Sequence, residues 1–203
     1  MAAMEESRFW SLIEQARFNI GEDAADPQLD LVDALQELLE DLPPEEIAAF
    51  QEQMRQVSWR AYTYPLAAAV YVIRGDNVDP DDFRGFRGWL ISRGQTEFQR
   101  AVADPDSLAD DDLVPAEVYL PDILDIGAIA YEETTGEEWE PDPTQTEPEE
   151  PSGEPLLIQD IPRRLPRLCD DFVFTFDEEE VQALAEAEAE AAAAPPPAAE
   201  KPR

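Results

Sequence analysis

Apolar residues recur along the first 138 positions at the three- and four-residue steps that mark one face of a helix. Residues 5–19 carry such a stripe in Phe9, Trp10, Leu12, Ile13 and Ala16, and Gly21 with the acidic turn after it closes the segment. Asp26-Pro27 pairs an N-cap with a proline at the first helical position and opens a second helix. Its stripe is Leu31, Val32, Leu35, Leu38, Leu39 and Leu42. Pro43-Pro44 ends that helix and begins a third, with Ile47, Phe50, Met54 and Val57 inward. Leu66 to Arg74 reads as a small-residue helix ending at Gly75; a buried strand is the alternative, but Ala67, Ala68 and Ala69 favour helix.

The stretch from 79 to 110 is the most distinctive of the chain. Asp79 is an N-cap, Pro80 suits the first helical position, and Asp82 can answer the cap as in a capping box. Phe83, Phe86, Trp89, Leu90 and Ile91 make the apolar face, and Gly94 is expected to stop the helix in the left-handed conformation. A further helix runs from about Gln95 to Ala103, ended by Asp104-Pro105. An acidic turn follows at 110–112, then a last helix from about Pro121 to Thr134, closed by Gly136. No run alternates long enough for a sheet. The pattern predicts an all-α fold, a compact multi-helix domain of about seven helices with short connections.

Polarity rises sharply after Glu138. Residues 1–138 form the expected core domain. Residues 139–155, with EPDPTQTEPEEPSGEP, read as an acidic, Pro-rich linker too polar to pack. Residues 156–176 regain apolar content and are expected to dock back on the core. Residues 177–203 alternate Glu and Ala with almost no apolar face. They are expected to be a solvated helix or disordered, so the C-terminal extension is acidic and largely disordered.

The chain has 203 residues, 48 of them acidic and 14 basic, for a formal net charge of −34. Such a surface repels phosphate backbones and anionic membranes, so nucleic acid and membrane are not expected partners and a basic protein is. Lys201 is the one lysine; the other basic residues are arginines. A GC-rich bacterial genome and adaptation to high salt both produce that bias. The start, MAAMEESRFW, lacks the basic residues and apolar run of a signal peptide, and the longest apolar run, Pro65 to Ile73, is too short to span a bilayer. With one cysteine, a soluble cytoplasmic protein is expected.

The chemistry available is narrow. There is no histidine, so neither a Ser-His-Asp triad, nor a Cys-His pair, nor the usual Cys/His zinc site can be built. Asp170 and Asp171 beside Cys169 raise its pKa and make it a poor nucleophile. The acidic clusters 76–82 and 104–112 could hold calcium or magnesium, but neither matches the twelve-residue calcium loop. No metal and no cofactor is expected. Gly85 and Gly88 lie inside a helix, where each costs about 1 kcal/mol relative to alanine. They share a face that another helix, a backbone or a ligand can approach closely. Arg84 and Arg87 stand beside them, and either pair with carboxylates or bind an anion or partner there. The candidate binding residues are therefore Arg84, Gly85, Arg87, Gly88 and Trp89, together with Trp59, Tyr62 and Tyr64, three aromatics that form core with polar rims or line a pocket.

The stretches RFWSLIEQAR, LPPEEIAAFQ, AYTYPLAAAVYVI, FRGFRGWLISRGQTEFQRAVADPDSLAD and AYEETTGEE resemble the bacterial family designated domain of unknown function 4240. IPRRLPRLCDDF looks like that family's C-terminal docking segment, so the resemblance spans about residues 5–176. It implies a small helical bacterial domain and supplies no activity and no catalytic residues. The chain departs from the family at Tyr64-Pro65-Leu66-Ala67 and at Ala116-Glu117-Val118. Three functions compete. The first is a non-enzymatic protein-binding or regulatory module, in its sharper form an acidic inhibitor or immunity-type protein for a basic partner. The second is an enzyme with a carboxylate- or metal-assisted site near Asp76–Arg87. The third is a scaffold. The binding module is the reading adopted; the oligomeric state is left open.

Overall fold

The computed structural model describes residues 3–21, 26–75 and 78–172. The fold is all-α: nine α-helices and short 3-10 turns, with no strand among the described residues. The helices are α1 (Glu6–Ile20), α2 (Pro27–Glu40), α3 (Pro44–Arg60), α4 (Tyr64–Arg74), α5 (Pro80–Ser92), α6 (Gln95–Ala103), α7 (Ile126–Thr135), α8 (Ile161–Arg164) and α9 (Pro166–Asp171). The first seven are the helices that the apolar periodicity predicts. The reading of residues 177–203, and the end of the docking segment at 173–176, lie outside the described residues.

Local chemistry sets the helix starts. The Asp26 carboxylate accepts from the Leu29 amide at 3.2 Å, and Asp79 and Asp82 form a reciprocal capping box. The Thr63 hydroxyl accepts from Leu66 N at 3.3 Å, which moves the start of α4 forward to Tyr64. The last expected helix begins as a 3-10 turn, Asp122–Leu124, and becomes α only at Ile126. Gly94 behaves differently from expectation. Arg93 caps the end of α5 in a right-handed conformation, and Gly94, with φ 89° and ψ 173°, instead leads into α6. A side chain there would be strained and would run into the Glu14–Arg17 ion pair of α1.

Four helices close a ring: α1 packs on α2, α2 on α7, α7 on α3, and α3 returns to α1. Helix α3 sits deepest, with Gln51, Glu52 and Gln53 buried as well as its apolar stripe. Its remaining side meets α5, which in turn touches α4 and α6. Aromatic rings tie the layers. Phe9 stacks on Phe50 with centroids 5.0 Å apart, and Trp10 reaches Phe98 at 5.2 Å. Each of these fully buried rings contributes about 1.5–3 kcal/mol of transfer free energy.

The C-terminal segment packs through Ile161, Leu165, Leu168 and Cys169, all buried. Its anchor is the buried Asp106, whose carboxylate accepts from the backbone amides of Arg167 and Leu168 at 3.1 Å each. Burial, and then Asp106 and Asp170, push the Cys169 thiol up.

Residues 139–155 have no helix, as a polar linker should, yet they pack. Tyr64 N donates to Ser152 O at 3.0 Å and Ser152 N to Tyr62 O at 2.9 Å, while Arg55 reaches Gln145 O at 3.0 Å. The segment is a strap held by hydrogen bonds and ion pairs in place of apolar burial. Both hydroxyl and amide of Thr144 donate to Asp142, which pulls that carboxyl down to about 2 and fixes a turn in the strap.

Asp106→Ala strands the buried Leu168 amide and the part-buried Arg167 amide and should cost about 1–3 kcal/mol. The expected outcome is a lower Tm together with faster reaction of Cys169 with a disulfide reagent; an unchanged rate would show that Asp106 does not hold α9. At Glu6, hydrogen bonds from Arg60 and then Trp10 hold the carboxyl below its usual 4.5. A depressed carboxylate stabilises above its unfolded pKa and loses that stabilisation as pH falls. Glu6→Gln should therefore lower Tm by about 1–2 °C near neutrality, with the gap closing below about pH 4 in a pH series of melts.

Candidate functional site

The glycine face of α5 is closed by the chain itself. A Cβ at Gly88 would land on the backbone carbonyl oxygen of Leu120, and one at Gly85 would land in the Tyr119 ring. Leu120 N donates to Gly85 O at 2.9 Å, so residues 118–123 run directly across the helix. The close approach that the paired glycines imply is thus made by a backbone of this chain.

Arg84 and Arg87 leave α5 in different company. Arg84 donates to Asp125 at 2.7 Å and faces the Pro121 carbonyl. Arg87 is 5% exposed; it donates to Glu147 of the strap at 2.9 Å and lies over the Tyr62 ring, 4.7 Å from its centroid. Tyr62 therefore serves Arg87 rather than an open pocket. Tyr64 hydrogen-bonds Glu150 of the strap at 3.4 Å, and its phenol is pushed up by desolvation and by that carboxylate. Trp89 is buried and faces a different cavity, of about 900 Å³, beside Arg93, Arg17 and Leu31.

Arg84, Arg87 and Trp59 do come together. With Arg55 and Trp139 they line a cavity of about 320 Å³ between α3, α5, the start of α7 and the strap. Helix α3 gives it one whole face, Gln51, Met54, Arg55, Ser58 and Trp59, at helical spacing. Leu124 and Ala128 form the floor on the α7 side, and Pro141 and Glu147 belong to the strap. Arg55 donates to the buried Glu52 at 2.9 Å and lies between two indoles, 4.8 Å from Trp59 and 5.7 Å from Trp139. Three of the lining residues each carry a buried polar atom with no hydrogen-bond partner: Gln51 Oε1, Arg87 Nε and Trp139 Nε1. The residues that sequence reasoning missed are Gln51, Arg55 and Trp139. The signal for the first two was present, since a helix with Gln, Arg, Ser and Trp on one face beside its apolar stripe is not a simple amphipathic helix.

The acidic clusters weighed for metal or for catalysis are committed elsewhere. Asp79 and Asp82 cap α5, and Asp82 also pairs with Arg74 at 3.0 Å. Arg100 gathers Glu97, Asp110 and Asp111, Arg93 adds a second contact to Asp111, and Asp106 holds α9. Among the described residues no group of three or more acidic or cysteine side chains is placed to hold a metal ion, and no helix is long and apolar enough to cross a membrane. Asp76 lies outside the described residues.

Fold and site together define a compact all-α domain with an arginine- and tryptophan-lined cavity under a polar strap. The family model described as "Protein of unknown function (DUF4240)" matches residues 4–133, more than half of the chain, and the chain belongs to that family. The matched stretch runs from α1 into α7; the strap, α8 and α9 follow it. Comparison with curated proteins gave no match, and comparison with solved structures gave none.

The two glycines should respond differently to alanine. Helix propensity returns about 1 kcal/mol at either site. At Gly88 the obstacle is backbone, so overpacking outweighs it and Gly88→Ala should lose about 1–2 kcal/mol, a Tm drop of about 2–8 °C. At Gly85 the obstacle is the partly exposed Tyr119 ring, which can swing aside, and Gly85→Ala should stay within about 1 kcal/mol of the parent. Thermal melts of the two variants decide it; equal losses would mean that the Leu120 crossing is not rigid.

Proposed function

We propose that this protein is a non-enzymatic protein-binding module whose partner is a basic protein, and that an inhibitor-type role is its sharpest form. One observation carries the reading. Arg164 excepted, every arginine among the described residues sits in an ion pair with a carboxylate of the chain. The arginine charge is matched within the chain, and carboxylates remain in excess at the surface.

One face of that surplus lies where α2 packs on α7. Asp33, Glu37 and Glu40 on α2 and Glu132 and Glu133 on α7 are exposed. Gln36 ties the two rows together, donating to Glu40 at 2.9 Å and to Glu133 at 2.5 Å. Such a face steers a cationic partner and gives specificity through opposite charge. A cytoplasmic setting belongs to the same proposal, on the strength of the lone unpaired Cys169.

The test is capture of partners from the native host, followed by titration of the purified partner against the parent and against Asp33→Lys/Glu37→Lys/Glu133→Lys. The expected result is one stoichiometric basic protein, bound more weakly as salt shortens the Debye length from about 10 Å at 0.1 M to about 3 Å at 1 M, and lost in the charge-reversed variant. A captured protein that binds the variant as well as the parent, or no stoichiometric partner at low salt, overturns the reading.

A further inference from the structure

We infer that the cavity between α3, α5, α7 and the strap binds a small organic carboxylate with a flat apolar body, anchored by Arg87. The inference is independent of the basic partner, because it rests on unmet hydrogen bonds and not on the outer charge. Native interiors leave few buried polar atoms without partners. Here three residues that line one cavity each carry such an atom: Arg87 Nε, Trp139 Nε1 and Gln51 Oε1. The other end of each polar group is already engaged where it has one. Arg87 Nη1 donates to Glu147, and Gln51 Nε2 donates to Leu124 O at 2.8 Å.

Two of the three unmet atoms are N–H donors, one of them on a guanidinium, whose planar fork matches a carboxylate. The walls are Trp59, Trp139, Met54 and Leu124, which suit a flat apolar body. A volume of about 320 Å³ falls within the range of small-molecule pockets. The two indoles would also suit an organic cation, but Arg55 already lies over both rings and excludes one. Glu147 completes the picture. Its side chain is 52% exposed while that of Arg87 is 6% exposed, so a surface carboxylate sits on a buried cation. It occupies the position that the ligand's carboxylate would take, and binding exchanges one for the other.

The probe is benzoate, with benzyl alcohol as its neutral counterpart, titrated into the full chain. Binding is followed by indole fluorescence and by the NMR shift of the Trp139 indole N–H. Benzoate should saturate with a Kd on the order of 1 mM, and benzyl alcohol should bind at least about tenfold more weakly for want of the charged hydrogen bond. Glu147→Gln, a substitution on the exposed strap, removes the competing charge and should tighten benzoate about tenfold. Trp139→Phe keeps the wall, removes one donor and should weaken benzoate several-fold while leaving Tm near the parent's. No saturation by benzoate in either the parent or Glu147→Gln, equal binding of benzyl alcohol, or an unchanged benzoate affinity in Glu147→Gln each overturns the assignment and leaves a water-filled cavity.

Discussion

Arg87 is the one buried arginine among the described residues, and keeping it charged shapes the middle of the molecule. A guanidinium does not give up its proton in a protein, so its burial has to be answered by partners. Tyr62 and Phe83 present ring faces at 4.7 and 5.6 Å, and Glu147 supplies the opposite charge. Glu147 is 60 residues away in the chain. To reach Arg87 the strap has to turn back over α3, and a series of small contacts brings it there. The Asp142–Thr144 turn sets its direction, the Arg55 bond to Gln145 O holds its middle, and the exchange of Ser152 with Tyr62 and Tyr64 fixes its far end. None of these contacts is strong alone. Exposed ion pairs and single hydrogen bonds are each worth about 1 kcal/mol or less. The buried cation is what makes losing them together expensive.

The same helix carries the opposite constraint at the very next residue. At Gly88 the backbone of Leu120 comes so near that no side chain fits, and this crossing delivers Ile123 and Leu124 into the core and Asp125 to Arg84. Helix α5 therefore has one side defined by contact too close for a Cβ and another defined by a charge that cannot be left bare. Between them they place the ends of two remote segments, 120–125 and 139–147, against one face of α3. The cavity is what remains where these surfaces meet.

The seven main helices were legible because each carries its own period, cap or proline, and those signals are local. Asp79 with Asp82 could be read as a capping box before any coordinates, since both halves of the motif lie within four residues. Gly85 and Gly88 announced a close approach in the same way, but not what approaches. Leu120 has no local feature that points to α5. Gly94 differs because a glycine after a helix usually takes the left-handed cap, whereas here it leads into α6, beside a Glu14–Arg17 pair of α1 that leaves no room for a side chain. The strap was the largest surprise. Its composition allows no continuous apolar face, and of its apolar residues only Trp139 and Pro141 join the cavity wall; what composition cannot show is that arginines and backbone groups wait on the other side. Half of the candidate site was in view for the same reason. Arg84, Arg87 and Trp59 stood out by residue type, while Arg55 and Gln51 lay on a helix whose apolar stripe drew attention away, and Trp139 lay in a segment read as solvated.

The outer charge and the cavity pull in different directions, and that opposition is itself informative. A net charge of −34 raises the local concentration of cations near the surface and lowers that of anions. The basic partner proposed above would be drawn in by the field, whereas the proposed carboxylate ligand would have to cross it before meeting Arg87. Each further negative charge on a ligand is repelled again, so the field favours singly charged ligands over di- or trianions of the same shape. Salt then acts with opposite sign on the two events. Screening removes the attraction that gathers a basic protein, and it removes the repulsion that keeps a small anion out. On the two proposals, weakening with salt would be the mark of the carboxylate face of α2 and α7, and strengthening with salt the mark of the arginines of the cavity.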